Sequence, residues 1–361
     1  MNRRDILMMG VAAGAAGLAP ATASAEPAFA PRPGNWRTFA LTTRIEPLSA
    51  TKTWIPLPTF AASDWQRPGE TSWTGNARRI ERVRDPKYGA EILSVEWATD
   101  QQNPLIEVTT RVQTRDRSVQ PGAGSAAPLS DEERRFNLMA TELLPVDGLV
   151  QQTAELIVRG KTDDADKARA LYEWVVDNTF RNPRTPGCGV GDVSWMLRTA
   201  NLNGKCADLN ALLVAMARSV GLPARDVYGI RAAPSRFGYK SLGAASETVT
   251  KAQHCRAEVW LTGSGWTPID PADVRKVVLE EPPTHLALDD PKVLEARKAL
   301  FGAWEGNWLA FNVAHDVKLT GSKENPLPFL MYPQGENKAG LVDPLDADAF
   351  RYKITAHELA A

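Results

Sequence analysis

The chain has 361 residues, 43% of them apolar and 24% charged, and a formal net charge of −1. That balance excludes a disordered or fibrous chain, and it offers no basic surface for nucleic acid or an anionic membrane. Three cysteines in such a length exclude a disulfide-built scaffold, while the length itself allows two domains with separate cores.

Residues 1–25 open on Asn2-Arg3-Arg4-Asp5, run through a weakly apolar stretch rich in Ala and Gly, and close on Ala23-Ser24-Ala25. A twin-arginine start, a short apolar run and an A-x-A site read as an export signal. The run from Ile6 to Leu18 is too short and too rich in glycine to span a bilayer. We therefore expect a mature chain that starts near Glu26, has no membrane span and works in the periplasm or outside the cell.

From Trp36 to Ser118 the pattern alternates and is rich in β-branched and aromatic residues, as in FALTTRIEP, TWIPLP, AEILSVEWA and LIEVTTRVQT. Short strands punctuated by Pro, Gly and Asp predict an N-terminal β-sandwich over 36–118. It contains neither histidine nor cysteine, which casts it as a supporting or substrate-presenting module. Gln120 to Leu129, QPGAGSAAPL, reads as a small-residue linker spanning 119–130, and a second domain follows over 131–280.

There the period changes. Helices are predicted near Asp147 to Val158 and from Asp163 to Phe180, the second burying Ala168, Leu171, Tyr172, Val175, Val176 and Thr179. A Pro/Gly loop, RNPRTPGCGVG, runs from Arg181 to Gly191 and leads through Trp195 to Cys206. From Cys206 the apolar residues Leu209, Leu212, Leu213, Met216, Ala217 and Val220 fall at helical spacing, with Gly221 and Pro223 as the stop. A thiol in the first turn of a helix meets the positive end of the dipole and free backbone N–H groups, which favour the thiolate. The competing reading is a small buried core residue.

Asp226 to Ala232 reads as a strand and Ala233 to Lys251 as a polar loop, cast as a lid over the site because Phe237 and Tyr239 lie just before a histidine. HCRAEVWL, from His254 to Leu261, alternates so that His254, Arg256, Glu258 and Trp260 share one face. After the turn Gly263-Ser264-Gly265, the segment Trp266 to Asp273 returns antiparallel. Of the four histidines, only His254 lies on a patterned strand facing a carboxylate. Cysteine catalysis needs a thiolate, an imidazole and an acceptor that fixes the imidazole. Asp270 and Asp273 both qualify as that acceptor, and strand register leaves the choice open.

The run G-x-C-A-D from Gly204, ending in R-S-V-G-L-P-A-R at Arg225, then H-x-x-x-E-V-W-L, then G-W-x-P-I-D-P, resembles the core of the transglutaminase-like superfamily in its bacterial exported form. The resemblance covers roughly Asp147 to Lys276, and a β-rich N-terminal domain with a W-I-P-L-P segment also occurs in such proteins. It implies an α+β, papain-like core in which a helix bearing the cysteine packs on an antiparallel sheet. It also implies Cys206 as nucleophile, His254 as base and acid, and Asp270 as the orienting group, with a supporting role for Glu258. Family members often carry an aromatic residue two after the histidine, where this chain has Arg256. That departure concerns the substrate pocket.

The oxyanion hole would use the backbone N–H of Cys206 and one further donor, with Trp195, Asn203 and Tyr172 as candidates beside their simpler roles in packing and capping. Cys188 and Cys255 read either as a bridge in an oxidising compartment or as two unpaired thiols. No histidine or cysteine spacing suits a metal, and no cofactor is implied. Residues 281–361 are expected to extend the core and complete the groove, with Trp304 and Trp308 as a packed stripe or a groove wall. The function expected is an exported protease or amidase acting through a thioester on a peptide or protein of the cell envelope. A protein-glutamine transamidase and an inactive peptide- or cell-wall-binding module are the alternatives.

Overall fold

In Arg37–Glu46, the alternating residues Phe39, Leu41, Thr43 and Ile45 turn inward, as period-two patterning requires of a half-buried strand. Such a strand must find a second layer, and here it is one of nine that build two facing antiparallel sheets. The computed structural model describes residues 28–360, so the export signal expected over 1–25 lies outside the described residues. One sheet runs Arg351–Leu359, Arg37–Glu46, Ile106–Thr114, Gln66–Gly75. The other runs Gly340–Val342, Gln334–Asn337, Lys52–Pro56, Glu91–Glu96, Arg79–Arg84. Ile45, Ile55, Leu93, Val95, Ile106, Val108 and Phe350 fill the space between them.

The C-terminal residues do two things where one was expected. The last strand pairs with Arg37–Glu46 along its length and Gln334–Asn337 pairs with Lys52–Pro56, so the chain's end completes both N-terminal sheets. The intervening residues Tyr332, Leu345 and Phe350 also line the groove over Cys206.

The second unit is an antiparallel sheet ordered Gly265–Ile269, Gln253–Leu261, Ala224–Arg231, Trp308–Asn312. Across it lies the helix Cys206–Ser219, flanked by the helices Gly148–Ile157, Asp164–Asn178 and Pro271–Glu280. Its sequence shows one apolar stripe, yet every residue from Cys206 to Arg218 is buried. The polar residues on its other sides are taken up by the fold. Asn210 Nδ2 donates to Cys255 O at 2.9 Å, and Arg218 donates to Ala224 O at 2.8 Å and to Met139 O at 2.9 Å. The antiparallel sheet and the buried helix packed on it form an α+β core.

The small-residue linker is seated against the core. Ala126 bridges Gly263, and Ser264 Oγ donates to Gln120 O at 2.9 Å. The loop after Ala233 is likewise pinned. Tyr239 is buried, with its hydroxyl on Lys292 O at 2.9 Å, and Phe237 and Tyr239 both pack on Phe29. Its aromatic residues serve the core, and its later residues, Gly243 to Ala252, form a wall of the groove.

Candidate active site

Cys206 is the first residue of its helix, so its own N–H belongs to the turn whose donors have no intrahelical partner. The preceding turn is held by Asp208, whose carboxylate accepts from Lys205 N and Gly191 N at 2.9 Å and from Val190 N at 3.0 Å. Two glycines make this approach possible. A Cβ on Gly189, which has φ +89°, would lie 1.8 Å from Asp208 Oδ2, and one on Gly204 would lie 2.3 Å from it. Ala207 N completes the tie by donating to Cys188 O at 2.9 Å.

His254, near the start of its strand, is buried and places Nε2 at 2.8 Å from Asp270 Oδ2 and 3.3 Å from Asp273 Oδ1. The choice left open by strand register dissolves here. The strand ends at Ile269, and Asp270 caps the helix Pro271–Glu280 by accepting from Asp273 N at 3.0 Å. Three residues along a helix is almost one turn, so both carboxylates come to the same imidazole. Asp270 Oδ1 also receives Asn210 Nδ2 at 3.3 Å, while Asp273 is ion-paired with the buried Arg231.

These neighbours set the charges. Hydrogen bonds from Cys188 and Cys255, then the neighbouring His254, hold the Cys206 thiol well below the usual thiol range despite burial. Burial and Arg231 pull His254 down, but Asp273 and Asp270 outweigh them and raise it to about 9. Burial, then repulsion from Asp273, raises Asp270 above the usual carboxylate range. Asp273 is buried too, yet Arg231 and His254 keep it well below that range. His254, Asp270 and Asp273 also converge closely enough to surround a cation, but His254 and Arg231 already supply positive charge between those oxygens.

The match to known proteins falls on the same residues. Residues 151–271 match the model described as the transglutaminase-like superfamily. An uncharacterized protein of Haemophilus influenzae is 34% identical over 324 residues, 86% of each chain. The chain belongs to the transglutaminase-like superfamily. Among solved structures, one named "Putative Cysteine Protease", from Cytophaga hutchinsonii, is 15% identical, with TM-score 0.49 over 90% of this chain and 99% of that one. The periplasmic domain of TgpA from Pseudomonas aeruginosa is 16% identical, with TM-score 0.36 over 66% of this chain and 88% of that one. Superfamily membership supports a cysteine-dependent enzyme in general terms.

Within this transglutaminase-like core the other residues singled out in the sequence go elsewhere. Tyr172 is buried with its hydroxyl on Arg297 O at 2.7 Å, and Asn203 is engaged with Asn182 and Asn201. Trp195 is 45% exposed over a separate hollow beside Asp208. None of these three lines the groove over Cys206. Glu258 is buried between Arg117 and Arg225, with Arg225 Nε at 2.6 Å. Arg256 does not face the groove either. It lies behind the histidine, 3.8 Å from Asp270 Oδ2 and packed on Trp304 and Trp308, which are buried packing residues and no groove wall. Cys188 and Cys255 are free thiols that both neighbour Cys206, the unpaired arrangement of the two read from the sequence, and Cys188 Sγ donates to Gln253 O at 3.3 Å.

The groove encloses about 610 Å³ above Cys206 and His254. Sequence reasoning missed Gln253, the residue before the histidine. The residue is 9% exposed and lines the groove, and its Nε2 is buried with no hydrogen-bond partner among the described residues. Only its adjacency to His254 could have signalled it. Arg181, Lys205, Arg231, Lys251 and Lys276 also line the groove, and among the described residues no carboxylate does.

Proposed function

We propose that the protein is an exported cysteine amidase or peptidase that works through a thioester, with Cys206, His254 and Asp270 as its catalytic residues. The observation that carries this reading is His254 Nε2 fixed at 2.8 Å by Asp270 while the imidazole adjoins a thiol whose pKa is depressed. The Cys206 thiolate attacks the substrate carbonyl carbon, and the oxyanion formed takes the Cys206 N–H as a donor. His254 passes its proton to the leaving amine as the C–N bond breaks, leaving the acyl group on sulfur. Water then attacks the thioester, His254 takes its proton, and the acid leaves as the thiol is restored. A groove lined by five cationic side chains disfavours entry of a lysine ammonium as acceptor, which supports water in that role over transamidation.

The test is release of free amine from a mixed peptide pool by the mature protein, with and without an added primary amine, beside Cys206→Ala. Release that depends on Cys206 and yields free acid in both conditions is expected. Amine incorporation would make the protein a transamidase, and no Cys206-dependent turnover would leave a binding module.

A further inference from the structure

Charge is the feature of the groove that no bond-making or bond-breaking step of the proposed reaction uses. Three of its five basic side chains have partners. Arg231 is paired with Asp273, while Arg181 and Lys276 share Glu280, which lies 3.6 Å from Lys276 Nζ. Lys205, beside the nucleophile, and Lys251, three residues before His254, have no ion-pair partner among the described residues. The bridge between Phe180–Arg181 and Asn203–Gly204 sets Arg181 beside Lys205. Arg181, Lys205 and Lys276 are therefore gathered on the cysteine side of the groove, with Lys251 on the wall that precedes His254. Burial, then repulsion by Arg231, pulls the Lys276 ammonium down to about 8. The nearest acidic loop does not balance them. Asp343 and Asp346 accept from the amides of Leu345 and Asp348, and Pro344, Leu345 and Ala347 are the residues of that loop that line the groove.

We infer that the groove selects acidic substrates, peptides whose side-chain or terminal carboxylate is received by Lys205 and Lys251 while the scissile amide lies over Cys206. The apolar wall of Leu345, Phe350 and Tyr352 takes the remainder of such a peptide. Lys205 is half-buried and Lys251 exposed at the rim, so the pair can attract a carboxylate from solvent and hold it beside the partly enclosed groove. The placement of the scissile bond rests on the amidase reading, but the selection for acidic peptides does not, because binding alone reveals it.

The experiment measures binding of short N-acetylated peptides to the full mature chain carrying Cys206→Ala, by isothermal titration. Four arms are used: glutamate-containing peptides with amidated ends, their glutamine counterparts with a free terminal carboxylate, the same counterparts amidated, and lysine-containing amidated peptides. At least one carboxylate arm is expected to bind about tenfold more tightly than the amidated glutamine arm, and whichever does so identifies the source of the carboxylate. That preference is expected to shrink with added salt and to vanish in Lys205→Glu with Lys251→Glu, with thermal melting reporting that the fold is kept. Equal binding of neutral peptides, a preference for lysine peptides, a preference that survives the double variant, or no binding in any arm overturns the inference. Acidic peptides that bind but are not cut by the wild-type protein would sink the amidase reading and leave this one standing.

Discussion

His254 is held by two carboxylates with different duties, and substitution separates them. Asp270 contacts Nε2 at 2.8 Å and also caps the following helix, and Asn caps as well as Asp does. Asp270→Asn should therefore melt near the wild type while kcat/KM falls by about 10²- to 10⁴-fold, as expected when an imidazole loses its orienting charge. Asp273 instead neutralises Arg231 inside the protein. Its replacement by Asn leaves a buried guanidinium uncompensated and should cost about 3–5 kcal/mol in urea denaturation. The same histidine sets the alkaline limit. In the proposed mechanism its proton goes to the leaving amine, and its pKa is raised to about 9, so kcat/KM should decline as pH rises through that value. Alkylation of Cys206 by iodoacetamide needs only the thiolate and should persist above it. A pH–rate profile and an alkylation profile that fall together would contradict this division of roles.

The turn before Cys206 shows how an element is fixed by few atoms. Three backbone N–H groups end on one Asp208 carboxylate, which fits only because Gly189 and Gly204 carry no side chain. Asp208→Ala strands those donors and should lower unfolding stability by on the order of 3 kcal/mol and slow Cys206 alkylation, both measurable on one preparation. Legibility at this scale followed pattern strength. The helix Asp164–Asn178 buries the stripe read from its spacing, and its cap is Asp163, because a 3.6-residue period with an acidic start has few other outcomes. Gln66–Gly75 and Arg79–Arg84 were not legible as strands. Both are largely solvent-facing, and the first carries Pro68 at a bulge, so neither shows alternation. The helix Pro271–Glu280 hid behind the motif ending at Asp270, since Pro271 reads as a strand's end and serves equally as a helix's first residue. Arg256 could not be placed from the strand pattern. Alternation gives the face it shares with His254, and only the tertiary fold shows that Trp304 and Trp308 cover it there.

At the scale of the molecule, the boundary drawn at Lys276 to Glu280 cuts through the support of the site. Trp308 Nε1 donates to His254 O at 2.9 Å, and its strand is the neighbour of Ala224–Arg231 in the central sheet. The N-terminal unit grips the same strand, because Gln66 exchanges two hydrogen bonds with Ala310, accepting at 2.8 Å and donating at 2.9 Å, in the manner of a neighbouring backbone. Trp65 packs against both Trp304 and Trp308, and Arg117, just before the linker, shares the buried Glu258 with Arg225. Excising 131–280 would expose Ile230 and leave Glu258 short of one cation and His254 O without its donor. A buried charge losing a partner costs about 3–5 kcal/mol, a large part of the stability of an ordinary domain. The fragment 131–280 should therefore show no cooperative melt by near-ultraviolet circular dichroism and no selective alkylation of Cys206, whereas the chain from Glu26 onward melts in one transition. A fragment that melted cooperatively and kept a fast-reacting Cys206 would show that the sandwich and the C-terminal strands only shape the groove, and that the catalytic unit stands without them.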